Sequence, residues 1–205
     1  MQERYTVNEL TVLVEYPRPQ LVRDSYENLN GWWDFAISNE ETRPQYFPLS
    51  ILVPFSPETK LSGLQTKITP NLRLWYHRTL TYTALSPDSR LLLHFEAVDH
   101  SCVVFLNGIE VGSHQGGYLP FSFDITDLLK EENDLLVKVV DPGDSEPIIR
   151  GKQASKASGI FYQGQSGIHQ TVWIEEVPRF YIKNLIITPD LAQHCWYVEV
   201  IPNDG

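Results

Sequence analysis

The sequence predicts an all-β sandwich of the jelly-roll type. Three observations carry this. Almost every periodic segment alternates apolar and polar residues with period two. Turn residues punctuate the chain at short spacing: Ser86-Pro87-Asp88, Asn107-Gly108, Gly116-Gly117 and Asp141-Pro142-Gly143. A hairpin centred on Asn107-Gly108 carries four aliphatic side chains on one side, and these need a second layer to cover them.

The elements follow in chain order. Candidate strands are Trp32–Ile37, Leu72–Thr83, Arg90–Val98, Cys102–Leu106, Ile109–Ser113, Leu119–Asp124, Leu135–Asp141 and Thr171–Glu176. The hairpin is the strongest of these signals. Asn107 and Gly108 both tolerate the positive φ of a type I′ turn, so a two-residue loop is expected. That register pairs Leu106 with Ile109 and Val104 with Val111 on one face, leaving Phe105 and Glu110 on the other. Only Thr126–Glu132 reads as helical, with Thr126 or Asp127 as cap and Asn133 as breaker. Asp124 and Asp127 flank that turn, where capping is the default role.

Two segments lack this pattern or stand outside it. Residues 142–170 are rich in Gly, Ser, Gln and Lys and show no periodicity. A long irregular loop in a compact sandwich is uncommon, and such loops often carry function. After Pro178, Tyr181–Thr188 and Trp196–Ile201 read as two further strands linked by Pro189-Asp190. Asn203-Asp204-Gly205 then signals a hairpin with no partner strand, which predicts a cut within a second β domain. The expected boundaries are 1–178 for the sandwich and 179–205 for the start of that domain.

Composition sets the bounds. A chain of 205 residues buries a sizeable core, and 42% hydrophobic with 12% aromatic residues is the balance of a folded protein. The net charge of −10 argues against nucleic acid or an anionic membrane as partner. The N-terminal stretch does not read as a secretory signal, and no apolar run approaches the roughly 20 residues of a membrane helix. Cys102 and Cys195 are too few for a disulfide scaffold. Cys102, on an alternating strand, reads as a small buried hydrophobe, with a disulfide as the alternative. The expected compartment is the cytoplasm.

Five blocks, taken together and in order, resemble a known family. They are Tyr16–Phe35 (YPRPQLVRDSYENLNGWWDF), Leu74–Leu80 (LWYHRTL), the hairpin block ending GGYLPFSFDIT, Asn133–Asp141 (NDLLVKVVD) and Ser166–Glu175 (SGIHQTVWIE). Together they resemble the N-terminal sugar-binding domain of glycoside hydrolase family 2, which holds β-galactosidases, β-glucuronidases and β-mannosidases. The resemblance covers about residues 16–177. It implies a galactose-binding-domain-like jelly roll beside a (β/α)₈ barrel, with the residues after Pro178 opening an immunoglobulin-like domain. It also implies that the two catalytic glutamates lie downstream, so this chain alone is expected to be inactive. No catalytic residue, metal or cofactor is expected within it. The implied partners are a β-glycoside substrate, met through the full-length enzyme, and the downstream barrel of the same chain.

In the family, the loop before the Ser-Gly-Ile block reaches toward the barrel mouth. Several members have an aspartate six residues before that glycine, in contact with a sugar hydroxyl. Here that position is Phe161, which departs from the pattern and either stacks on a sugar face or packs the loop. The same loop carries Arg150-Gly151-Lys152-Gln153 and Gly159-Ile160-Phe161-Tyr162. The candidate substrate contacts are therefore Arg150, Lys152, Gln153, Phe161 and Tyr162. Arginine, lysine and glutamine offer many donors for hydroxyl or carboxylate groups. The plainer reading is a solvated charged loop that touches the neighbouring barrel.

Other chemistries lack their residues. Glu175 and Glu176 are neighbours on a strand and point to opposite faces, so they cannot converge on one bond. Glu131 and Glu132 read as solvated turn residues. Asp99 and His100 lie between two strands, either within reach of a ligand or as a polar turn at a sheet edge. The six histidines show no zinc-like spacing with cysteines, and His77 and His94 read as sheet residues with satisfied hydrogen bonds. Gly116-Gly117 is not followed by a helix, and Gly164-Gln165-Ser166-Gly167 is not a nucleophile elbow. Most of Trp32, Trp33, Trp75, Trp173 and Trp196 read as core. The alternative functions are a free-standing carbohydrate-binding module and, more weakly, a protein–protein interaction domain using the strands after Pro178.

Overall fold

A computed structural model describes residues 12–82 and 85–203. Its strands are β1 (Tyr26–Asn28), β2 (Gly31–Ser38), β3 (Leu49–Val53), β4 (Arg73–Thr81), β5 (Ser89–Phe95), β6 (Val98–Asp99), β7 (Ser101–Leu106) and β8 (Ile109–Gln115). They continue with β9 (Phe121–Asp124), β10 (Glu132–Val140), β11 (Gln153–Ala154), β12 (Tyr162–Gln163), β13 (Gly167–Ile168), β14 (Val172–Pro178), β15 (Ile182–Asp190) and β16 (Cys195–Pro202). Two antiparallel sheets face each other, one ordered β1-β14-β5-β9 and the other β3-β2-β4-β10-β7-β8. The all-β sandwich predicted from the period-two segments is the observed architecture.

The alternation places the core. Trp33, Phe35, Leu74, Tyr76, Leu93, Phe95, Val104, Leu106, Val137, Val139 and Ile174 all point between the sheets and are buried. β10 lies centrally in its sheet, between β4 and β7. Its run Leu135–Val140 is nearly continuously apolar because both of its faces are covered. The outward Leu136 joins Trp75 and Ala36 in a small second core beneath Phe47 and Phe105. Glu41, preceding Phe47, accepts from Arg73 and from Lys138 and so straps that segment over the sheet.

Several expectations change in detail. Leu106 pairs with Ile109 and Phe105 with Glu110, but Val104 faces Gly112 rather than Val111 across a bulge. The Phe123 ring occupies the space a Cβ at position 112 would need, 2.4 Å away, so glycine sits opposite the core strand. Val111 is only partly buried and Ile109 is exposed. The expected helix over Thr126–Glu132 is a single 3₁₀ turn, Thr126–Leu128. It stops because the Asn133 side chain takes the Lys130 amide and carbonyl, and the chain then enters β10. No side chain caps it; Asp124 instead accepts from the Thr126 amide and hydroxyl, while both Asp124 and Asp127 pair with Arg90.

β15 runs through Pro189-Asp190, which pair with Trp196 and Cys195, and the turn is residues 191–194. β1 and β3 were not expected; β3 is a short apolar run between Pro48 and Pro54, and β1 is polar. Leu119–Asp124 narrows to Phe121–Asp124 after Pro120, which has no amide proton to give a ladder. The terminal Asp204-Gly205 turn signal and Thr83 lie outside the described residues. Cys102 is buried, and Cys102 and Cys195 are both free thiols.

Candidate functional site

The irregular segment after β10 forms one end of the sandwich. It leaves the sheet at Asp141 and returns at β13, where Gly167 pairs with Asp99 and Ile168 with Val98. The return point is tightly built. Gly167 has φ +79°, and a Cβ there would lie 2.0 Å from the Tyr76 hydroxyl. That hydroxyl accepts the Ile168 amide at 3.2 Å inside the core. Burial pushes the Tyr76 phenol far above its ordinary range, so it is a neutral structural group.

The loop folds on itself between these ends. β11 and β12 pair in parallel, Gln153 opposite Tyr162, and the Tyr162 amide donates to the Lys152 carbonyl at 2.8 Å. Arg150 Nε donates to the Gln153 carbonyl at 3.2 Å. Four of the five predicted contact residues, Arg150, Lys152, Gln153 and Tyr162, are thus brought together. Phe161 closes a tight turn just before Tyr162, with its amide donating to the Ser158 carbonyl. Phe161, Tyr162 and Lys152 are exposed, whereas Arg150 and Gln153 are partly buried.

Gln153 holds the loop. Its Nε2 donates to Asp99 Oδ2 at 2.7 Å and to the Tyr118 hydroxyl at 3.2 Å, and its Oε1 accepts the Gln165 amide at 2.6 Å. Asp99 is not a surface turn residue: it is 2% exposed, and its Oδ1 is buried without a hydrogen-bond partner among the described residues. Burial pushes the Asp99 carboxyl up, against the lowering effect of the Gln153 hydrogen bond. His100 is likewise buried, with Nδ1 3.1 Å from Ser101 Oγ.

A second anchor was not legible in the sequence. Ser166 Oγ lies 2.9 Å from Glu58 Oε1 and 2.7 Å from Asp141 Oδ2, and its amide donates to Glu58 Oε2 at 3.2 Å. Nearby, Asp144 accepts from the Ser155 amide and hydroxyl, and Lys67 Nζ donates to the Ser155 carbonyl. These groups line a cavity of about 60 Å³.

The chemistry available at this end is recognition. Two exposed aromatic rings beside a lysine and an arginine can stack on a sugar face and donate to hydroxyl or carboxylate oxygens. Glu175 and Glu176 do not converge as a hydrolytic pair. Glu175 is fully buried and bound by Arg18 and Arg23, while its neighbour Glu176 points the other way and accepts the Ser86 amide. Among the described residues no three His, Cys, Asp or Glu side chains are grouped to hold a metal, and no helix is long and apolar enough to cross a membrane. A cleft of about 510 Å³ lies at the other end of β5, between Asp88, Arg90 and Asp124 on the sandwich and Arg179, Tyr181 and Lys183 on the connection into β15 and its start.

Comparison with known proteins adds three findings. The family model "Glycosyl hydrolases family 2, sugar binding domain" matches residues 62–176, more than half of the chain. A β-glucuronidase of Paenibacillus borealis is 25% identical over 201 residues, 86% of this chain and 33% of its own; a β-galactosidase of Thermoanaerobacter pseudethanolicus is 30% identical over 121 residues, 58% of this chain and 16% of its own. The solved β-glucuronidase of an uncultured Clostridium sp. superposes with a TM-score of 0.61 at 26% identity, covering 90% of this chain and 35% of that one. The chain therefore spans about a third or less of the length of these relatives.

Proposed function

We propose a function from one premise: the chain belongs to the sugar-binding domain family of glycosyl hydrolases family 2. It serves as the non-catalytic jelly-roll part of a longer glycoside hydrolase that cleaves β-glycosidic bonds. It supports a (β/α)₈ barrel and shapes that barrel's sugar pocket with the loop between β10 and β13. The observation that carries this reading is the loop itself, pinned at both ends yet exposing Ile160, Phe161, Tyr162 and Lys152 at one end of the sandwich. Rigid support with an exposed aromatic and cationic rim suits a wall of a sugar pocket.

Residues 179–205 are the opening strands of an immunoglobulin-like domain in this reading. The support is the β15–β16 ribbon, which among the described residues pairs only with itself and leaves Ile187, Trp196, Val198 and Val200 exposed. A cytoplasmic setting is supported by the free thiols of Cys102 and Cys195.

The test is hydrolysis of chromogenic β-galactoside, β-glucuronide, β-mannoside and β-glucoside. The chain alone is expected to turn over none of them, and the longer protein that carries it at least one. In that longer protein, Lys152→Ala and Phe161→Ala are expected to raise KM about three- to tenfold with a smaller change in kcat, the pattern of lost binding. Turnover by the isolated chain sinks the reading. Calorimetric binding of a simple sugar by the isolated chain, at about 1 mM or tighter, would instead favour a free-standing carbohydrate-binding module.

A further inference from the structure

The base of the β10–β13 loop is closed by one hydroxyl. Asp141 lies immediately before the loop and Ser166 immediately before β13, so the 2.7 Å contact from Ser166 Oγ to Asp141 Oδ2 ties exit to re-entry. The same Oγ is 2.9 Å from Glu58 Oε1. A serine hydroxyl has a single proton to donate, and ionised carboxylates only accept. Ser166 therefore satisfies one of its two carboxylate neighbours as a donor. The other must supply a proton of its own.

The two acids are placed alike around that hydroxyl. Asp141 Oδ1 accepts the Gly143 amide at 2.7 Å and its Oδ2 faces the Ser166 hydroxyl. Glu58 Oε2 accepts the Ser166 amide at 3.2 Å and its Oε1 faces the same hydroxyl. The pair therefore holds one proton between them: one acid donates to Ser166 Oγ, and Ser166 donates to the other.

We propose that Glu58, Ser166 and Asp141 form a proton-operated clasp at the base of this loop, closed when the Glu58–Asp141 pair holds one proton and loosened when both acids are ionised. Full ionisation would set two carboxylates against a hydroxyl that can serve only one of them, and their repulsion favours separation. Burial pushes the Glu58 carboxyl above its ordinary value, against the lowering hydrogen bonds from its own backbone amide and from Ser166, with the nearby Asp141 charge adding a smaller rise. The other groups around it do not cancel this. Lys67, from the segment before β4, lines the cavity with its ammonium donating to the Ser155 carbonyl, and it is not among the groups that shift Glu58. Asp144, on the loop, adds negative charge, and the Tyr76 phenol from β4 is neutral. A raised pKa in the closed form means that clasp stability is fully present below the ordinary carboxylate value and is lost as pH rises through the Glu58 pKa. The clasp stands whether or not the loop touches sugar.

Amide hydrogen exchange of the whole protein between pH 5 and 8, corrected for intrinsic rates, tests it. Protection of amides in 142–165 is expected to fall with rising pH, about tenfold for each unit by which opening lowers the Glu58 pKa, while β10 stays protected. Glu58→Gln keeps one donor and one acceptor toward Ser166 and should abolish the slope. Asp141→Asn, which removes the like charge, should flatten it independently if the first variant folds poorly. A flat wild-type profile, or an unchanged slope in either folded variant, overturns the proposal.

Discussion

The sandwich and the β15–β16 ribbon are both patterned as strands, yet only one of them has an inside. Trp33, Phe35, Tyr76 and Trp173 in the sandwich are at most 1% exposed; Trp196 and Leu191 in the ribbon are 68% and 85% exposed. Leu185, Ile187 and Pro189 face Val200, Val198 and Trp196 across the ribbon, a row as apolar as any core strand pair. Alternation makes a strand and selects its face, but burial needs a second layer opposite that face. The ribbon shows the first step without the second. It is joined to the sandwich by polar contacts: Arg23 binds both oxygens of the buried Glu175 and donates from Nη2 to the Ile182 carbonyl, and the Arg179 amide donates to the Asp88 carbonyl.

Truncations on the two sides sharpen this difference most. Phe35→Ala is expected to cost about 3–5 kcal/mol in urea unfolding, through lost transfer energy and a cavity. Trp196→Ala, with little to lose in this chain, should stay within about 0.5 kcal/mol. Equal costs would break the comparison.

Glu175 comes next. Burial pushes its carboxyl up, but contact with His94 and the charges of Arg18 and Arg23 outweigh this and bring it down to about 2. Glu175→Ala leaves both guanidinium groups without their acceptor and is expected to cost about 3–5 kcal/mol, at the scale of the core truncation. The sign with pH follows from the lowered value. Stabilisation by the carboxylate is present above the ordinary glutamate pKa and is lost as pH falls from there toward about 2. Acid unfolding that is unchanged by Glu175→Gln would show that the network contributes nothing. Below these comes Gly167→Ala, where the positive φ and the Tyr76 hydroxyl both resist a Cβ. About 1–3 kcal/mol is expected by thermal unfolding, with Tyr76→Phe in the same chain relieving part of the steric cost.

Much of this fold was legible along the chain because its strands are amphipathic and its turns use residues with special dihedrals. β3 escaped because five residues between two prolines do not declare a period. The need for glycine at position 112, opposite Val104, escaped because Phe123, whose ring fills that space, lies on another strand. The loop was found through composition, and the structure brings Arg150, Lys152, Gln153 and Tyr162 into one cluster. The roles inside it were not visible. Gln153 reads as a free donor in sequence, but its amide is consumed by Asp99, Tyr118 and Gln165.

What the sequence alone determined is the class of the fold, the place of its main hairpin and the kinship with sugar-binding domains, since these depend on period, turn chemistry and the order of short motifs. Only the tertiary structure decided which polar groups meet. Glu58 and Ser166 are 108 positions apart, and Arg23 and Glu175 are 152 apart. No local pattern encodes such a meeting, because the strands that deliver each side chain are brought together by the burial of other residues.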